Sequence, residues 1–206
     1  MSQPRPRSVT AAIWLLMALV ALSALTALPR SWGMRTPTDP LDGTIADCQA
    51  GLRRGEWTAE EVTRRALERC RRDGAAWRAI DALSATALDE ARASDARRRA
   101  GTLRGPLDGV PVFAKSIYDM EGLPTTGSSA EWAYLFPGAV HRDALEVRRL
   151  RAAGAIVLGK SNVPQGMLSM ECDNAIYGAT KNPWSAAHVT GGSSSGEGAL
   201  IASGAR

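Results

Sequence analysis

Histidine and cysteine are scarce in this sequence: there are two of the first and three of the second. Cys48, Cys70 and Cys172 share no metal-like spacing. Neither His141 nor His188 stands at ligand spacing from a cysteine or carboxylate. A zinc site, structural or hydrolytic, is therefore not expected, and no metal is. One disulfide is allowed in an oxidising compartment but not demanded. The chain also lacks a strong excess of one charge. Its 25 Lys and Arg oppose 21 Asp and Glu, for a net +4. The basic residues are mostly Arg, interleaved with acids over 64–72 and 92–99. That is the pattern of a solvated helix face, so no nucleic-acid partner is expected. No internal repeat is present, which excludes a solenoid. What the chain does have is apolar substance. At 45% hydrophobic and 22% charged residues over 206 positions, it is suited to one globular domain with a packed core.

One long apolar run is present, at the N-terminus. Residues 9–28 carry no charge and follow Arg5 and Arg7. Twenty helical residues span about 30 Å, the thickness of a bilayer's hydrocarbon core. A cleavable signal has a shorter apolar region, about 7–15 residues, yet Ala21-Leu22-Ser23 offers a small-x-small site that would trim this one to size. Residues 1–29 are thus expected to be an N-terminal transmembrane or signal helix, with the uncleaved anchor favoured. The protein would then be membrane-anchored or exported, contacting the membrane through residues 9–28. Residues 30–40, with Gly33, Pro37 and Pro40, read as a linker.

From residue 41 onward the chain alternates helical and strand patterns. A helix is expected from Asp42 to about Arg54, with Ile45, Cys48 and Leu52 inward and Gly55 ending it. Thr58 with Glu61 three residues later makes a capping box for a second helix, closed by Gly74. Residues 81–100 form a third helical stretch, ended by Gly101. Beyond the turn-rich 105–109, residues 110–114 read as a strand ending at Lys115. Residues 143–153 are helical, with Leu145 and Leu150 on one side, and 155–158 are an apolar strand. Helix, glycine and buried strand in sequence belong to an α/β layer. A last helix begins near Gly196.

Two motifs are set aside. Residues 154–161, GAIVLGKS, fit the phosphate-loop pattern G-x4-G-K-[ST]. The four central residues of that pattern must form a loop that offers N–H groups to phosphate, and Ala-Ile-Val-Leu is a strand. His141 lies beside Arg142 and Asp143 at a helix start, and His188 lies in a loop five residues before Ser193. Neither reads as the base of a Ser-His-Asp triad.

Two ordered segments carry the functional signal. The first is GPLDGVPVFAKS, with Lys115 at the end of an apolar strand. The second is KNPWSAAHVTGGSSSGEGAL, with Ser193, Ser194 and Ser195 between glycines. Together with LRAAGAIVLGKSNVPQGM between them, they resemble the amidase signature family over residues 42–206. The run NVPQGMLSMECDNAIYGATKNPW, followed by GGSSSGEGALI with Glu197, is most similar to the fatty-acid amide hydrolase branch.

The resemblance implies an α/β amidase signature fold, a mixed β-sheet core covered by helices. It also implies a Ser–cis-Ser–Lys triad that hydrolyses a carboxylic amide, possible substrates including fatty-acid amides, through an acyl-serine intermediate. No cofactor is implied; the partner is a small-molecule amide. Lys115 matches the family's lysine and Ser193 its middle serine, whose peptide bond is cis. The resemblance further assigns Met167 and Ser194 to substrate binding. A lysine acts as a base near neutral pH when burial lowers its pKa, and VPVFA gives Lys115 an apolar setting. The family's nucleophile lies in a later Gly-Thr-Asp-x-Gly-Gly-Ser-like motif, which residues 194–206 do not contain. The chain is therefore expected to be truncated before its nucleophile and inactive by itself. Ser116 and Ser195 stand where many members have aspartate and glycine. The rival class is non-enzymatic: an inactive fragment or a partner-binding remnant. Oligomeric state is not legible.

Overall fold

The computed structural model describes residues 38–204. Helix α1 spans Ile45–Arg54. Thr44 caps it, accepting from the Asp47 N–H while the Asp47 side chain accepts from the Thr44 N–H, and Gly55 ends it in the left-handed conformation. Helix α2, Ala59–Arg69, starts at Thr58, whose hydroxyl accepts from the Glu61 N–H. It continues into a π-helical turn, Cys70–Gly74. Strand β1 is Ile80–Leu83. Helix α3, Ala87–Ala100, ends at Gly101. From its buried face Asp95 reaches across to accept from the Ala59 and Glu60 N–H groups, at 2.8 and 3.0 Å. A carboxylate from α3 thus satisfies two of the unpaired donors that open α2.

Strand β2 is Pro111–Lys115. Two short helices follow, α4 at Ala130–Leu135 and α5 at Leu145–Ala152. Strand β3 is Ile156–Ser161 and every residue in it is buried. A 3-10 turn at Gln165–Met167 and helix α6 at Ser195–Ala202 complete the described elements. The three strands form one mixed sheet in the order β1-β3-β2. β1 pairs antiparallel to β3, and β2 parallel to it. Because side chains alternate along β3, its two faces feed two apolar clusters. Ile156 and Leu158 meet Leu52, Val62, Leu67 and Leu200 on one face. Val157 meets Ala114, Met120 and Val147 on the other. The α/β class and the mixed sheet covered by helices are as expected.

Three expectations need correction. No helix among the described residues is long and apolar enough to cross a membrane. The longest, α3 with 14 residues, spans about 21 Å, short of the roughly 30 Å hydrocarbon core. The expected transmembrane or signal helix is therefore not part of the described fold, and residues 9–28 lie outside the described residues. Second, residues 80–83 form a strand where 81–100 was expected to be all helix, because Ile80, Ala82 and Leu83 pair with β3. Third, Ile45 is 55% exposed rather than inward, while Cys48 and Leu52 of α1 are buried as expected. α5 buries Val147.

Candidate active site

Strand β2 delivers Lys115 to the C-terminal end of the sheet, where it pairs in register with Ser161 of β3. The Gly-Ser segment approaches the same end from the opposite side of the sequence. Lys115 Nζ lies 2.7 Å from Ser193 Oγ, and the Gly192–Ser193 peptide is cis. Side chains 78 residues apart are thus in direct hydrogen-bond contact.

Two glycines allow this approach. A Cβ on Gly192 would stand 2.8 Å from the Ser169 carbonyl oxygen and 2.9 Å from the Met170 carbonyl, both backbone atoms that cannot swing aside. A Cβ on Gly196 would stand 2.4 Å from the Ala79 oxygen and 2.5 Å from the Asn162 nitrogen. Only glycine lets the first turn of α6 lie against the end of β3, where the Gly196 N–H donates to the Asn162 carbonyl at 3.0 Å.

Asn162 is the hub that fixes this end of the sheet. Fully buried, its amide donates to the Arg78 carbonyl at 2.9 Å, the Thr180 hydroxyl at 3.1 Å and the Gly178 carbonyl at 3.2 Å. Its oxygen accepts from Asn174 at 2.9 Å and Ser128 at 3.2 Å. One side chain therefore ties together three segments, at Arg78, at Ser128 and over 174–180. Ser116, next to Lys115, is buried and donates to Asp81 of β1. Ser116 thus ties the residue after β2 to β1, which lies on the far side of β3 in the sheet.

A second lysine lies close by in sequence but does different work. Lys160 is fully buried in β3 and donates to the Pro124 carbonyl at 2.6 Å and the Thr125 hydroxyl at 2.9 Å. Burial pushes its pKa down to about 8, against the pull of Asp81 and Asp119. Its placement in a strand also disposes of the phosphate-loop pattern, since residues 156–161 are all β3.

Ser194 is exposed and, with Lys115, Tyr118, Glu146 and Glu197, lines a cavity of about 670 Å³. Met167 does not line it; it ends the 3-10 turn, half-buried, at a φ of 62°. Ser195 Oγ donates to the Gly191 carbonyl at 2.6 Å and Ser203 Oγ to the Leu200 carbonyl at 3.2 Å. Both histidines are exposed, and His188 is hydrogen-bonded to Ser185. All three cysteines are buried thiols, with burial raising Cys48 to about 11 and Cys70 to about 12. Among the described residues no group of three His, Cys, Asp or Glu side chains could hold a metal ion.

The Amidase family model matches residues 61–206. The chain belongs to the amidase family. Its curated relatives include a glutamyl-tRNA(Gln) amidotransferase subunit from Thermobifida fusca (strain YX), 37% identical over 169 residues, which cover 80% of this chain and 33% of that protein. The chain thus spans about a third of the length of the relatives it matches. Among solved structures, the native peptide amidase from Stenotrophomonas maltophilia superposes with a TM-score of 0.66 at 35% identity, over 82% of this chain and 34% of that one. A fatty acid amide hydrolase superposes with a TM-score of 0.73 at 24% identity, over 81% of this chain and 29% of the other, and that likeness shows the fold alone. Members of this family act on amide C–N bonds. The expected membrane-anchored or exported location is corrected as well. The relatives belong to an amidotransferase, and no described helix of this amidase-family chain can span a bilayer.

Proposed function

We infer that this chain supplies the proton relay of a carboxamide hydrolase. Lys115 is the terminal base, Ser193 the relay, and Ser194 a contact for the substrate. The nucleophilic serine and the oxyanion donors lie in sequence other than residues 1–206. The single observation that carries this is the 2.7 Å contact between Lys115 Nζ and Ser193 Oγ inside an amidase-family fold.

During the reaction Lys115 takes a proton from Ser193. Ser193 in turn takes the proton of the nucleophilic hydroxyl as its oxygen bonds to the amide carbon. The relay then runs backwards. Ser193 returns a proton to the departing nitrogen, the C–N bond breaks, and water later cleaves the acyl ester to give the acid. Neither histidine enters, since both are exposed. Ser195 and Ser203 are poor nucleophile candidates because their hydroxyls are engaged by backbone carbonyls of their own segment. Met167, placed outside the Lys115 cavity, contacts substrate only with a leaving or acyl group that extends beyond it. The narrower reading, a fatty-acid amide as substrate, is supported by the run from Asn162 to Trp184 and by Glu197 in GGSSSGEGALI.

The test compares the 206-residue chain with a longer version taken from the gene wherever its reading frame continues. Both are given a fatty-acid anilide and a short-chain anilide. The longer protein should turn over at least one of them, and the 206-residue chain neither. Turnover by the 206-residue chain, abolished by Ser193→Ala, would show that the nucleophile has been misplaced.

A further inference from the structure

In the described sheet β2 has one neighbour, β3, so its last residue, Lys115, is paired on one side, with Ser161. The chain then turns at once: the Tyr118 N–H donates to the Lys115 carbonyl at 3.0 Å. One ladder and one turn leave the end of the strand free to tilt about β3. A lysine that exchanges a proton with a serine has to be held more tightly than that, to within about 0.5 Å.

A second tether comes from the far side of β3. Ile80 pairs with Ser161 and Ala82 with Lys160, which leaves Asp81 as one extra residue on β1. A bulge of this kind re-aims the side chain it carries, and such bulges recur next to active sites. Here it directs the Asp81 carboxylate past β3 to the Ser116 hydroxyl, which donates to it. Ser116 is fully buried, so water does not compete for the bond. The same carboxylate is hydrogen-bonded to the Tyr177 hydroxyl, whose pKa rises through burial and through Asp81. It also attracts the buried ammonium of Lys160. A neutral acceptor would tie down a strand without the cost of placing a charge there. A carboxylate that keeps a buried lysine and two hydroxyls around it makes a stiffer anchor, because bonds to an ionised acceptor are the stronger ones.

We propose that Asp81 is a positioning residue, which acts through Ser116 to hold Lys115 against Ser193. Its part in the reaction rests on the relay reading above, whereas the positioning itself is measured without turnover.

The lysines can be read singly, since Lys115, Lys160 and Lys181 are the three in the sequence. The experiment is carbon-13 NMR of the 206-residue chain with lysine labelled at Cε. Ser193→Ala shows where the Lys115 signal goes when its partner is lost. Ser116→Ala, which removes one hydroxyl and whose fold circular dichroism verifies, should move that signal in the same direction, and Asp81→Ala should do likewise. Combining the two should move it no further than the larger single change, because both break one tether. The exposed Lys181 should stay in place throughout. Asp81→Asn keeps an acceptor for Ser116, so it should leave Lys115 near its wild-type position while moving Lys160, which loses a facing charge. In the longer, gene-derived protein Ser116→Ala should slow fluorophosphonate labelling roughly tenfold or more. It should slow labelling no further once Lys115 is alanine, whereas a general loss of stability slows both backgrounds alike. A Lys115 signal indifferent to Ser116→Ala, displacements that add in the double variant, or equal slowing in both backgrounds would each overturn the proposal. Wild-type labelling by Lys115→Ala would instead sink the relay, and the NMR displacements would still decide whether Asp81 positions Lys115.

Discussion

Replacing Asp108 should cost the domain a large part of its stability, because this carboxylate locks the turn that feeds β2. Its side chain is fully buried and binds the Arg97 guanidinium at two points, 2.8 and 3.0 Å. It also accepts from the Ser94 hydroxyl at 2.6 Å and the Arg104 N–H at 2.7 Å. Burial alone would raise its pKa, but Arg97, Arg104 and Ser94 together bring it down from 3.8 to about 2. That difference corresponds to about 2 kcal/mol of stabilisation held by the ionised form. The folded pKa lies below the unfolded one, so this stability is complete above pH 3.8 and is lost as pH falls towards 2. Asp108→Ala removes all four bonds and leaves Arg97, whose side chain is 19% exposed, without its partner. The cost should exceed the titration figure and reach about 3–5 kcal/mol, the usual penalty for breaking a buried pair from one side. Urea unfolding followed by far-ultraviolet circular dichroism measures it, at pH 7 and at pH 3. The wild type should lose stability between those two values, and the variant should lose less over the same interval. A loss below about 1 kcal/mol at pH 7, the level of a surface ion pair, would refute this account of the turn.

Two further outcomes are expected. Lys160 has a folded pKa near 8 against an ordinary 10.5, so the unfolded chain binds more protons between those values and this lysine makes stability rise with pH across that window. The difference in unfolding free energy between wild type and Lys160→Met, measured at pH 7.5 and pH 10, should shift in favour of the wild type at the higher pH, and a pH-independent difference would contradict the assignment. Asn162→Ala removes the side-chain hydrogen bonds from a fully buried position to Arg78, Gly178, Thr180, Ser128 and Asn174, and should cost about 3 kcal/mol in urea unfolding; a cost within about 0.5 kcal/mol, as for an exposed position, would remove Asn162 from its role as the hub.

The parts of the fold written in short-range chemistry were legible in the sequence. Gly55 and Gly101 end their helices at φ of 70° and 69°, and Thr58 caps α2 through the Glu61 N–H. Such signals lie within four residues of the feature they set. Strand β1 was not legible, because Ile80–Leu83 carries no alternation of its own and becomes a strand through its pairing with β3. The Lys115–Ser193 contact spans 78 residues, and only the joint likeness of two segments to one family pointed to it. Asn162 and Lys160 were missed as anchors because three of their partners are backbone carbonyls of distant loops, at Arg78, Gly178 and Pro124. Any residue there supplies a carbonyl, so the pattern leaves no trace in residue type.

The relay itself is tested most directly by the rate at which a fluorophosphonate probe labels the longer, gene-derived protein, measured for wild type, Lys115→Ala, Ser193→Ala and the double variant. Groups that pass one proton along a chain fail as a unit. Each single substitution should slow labelling by about 10³-fold or more, and the double variant should be no slower than the worse of the two. Labelling of Lys115→Ala at the wild-type rate, or losses that multiply in the double variant, would contradict the relay.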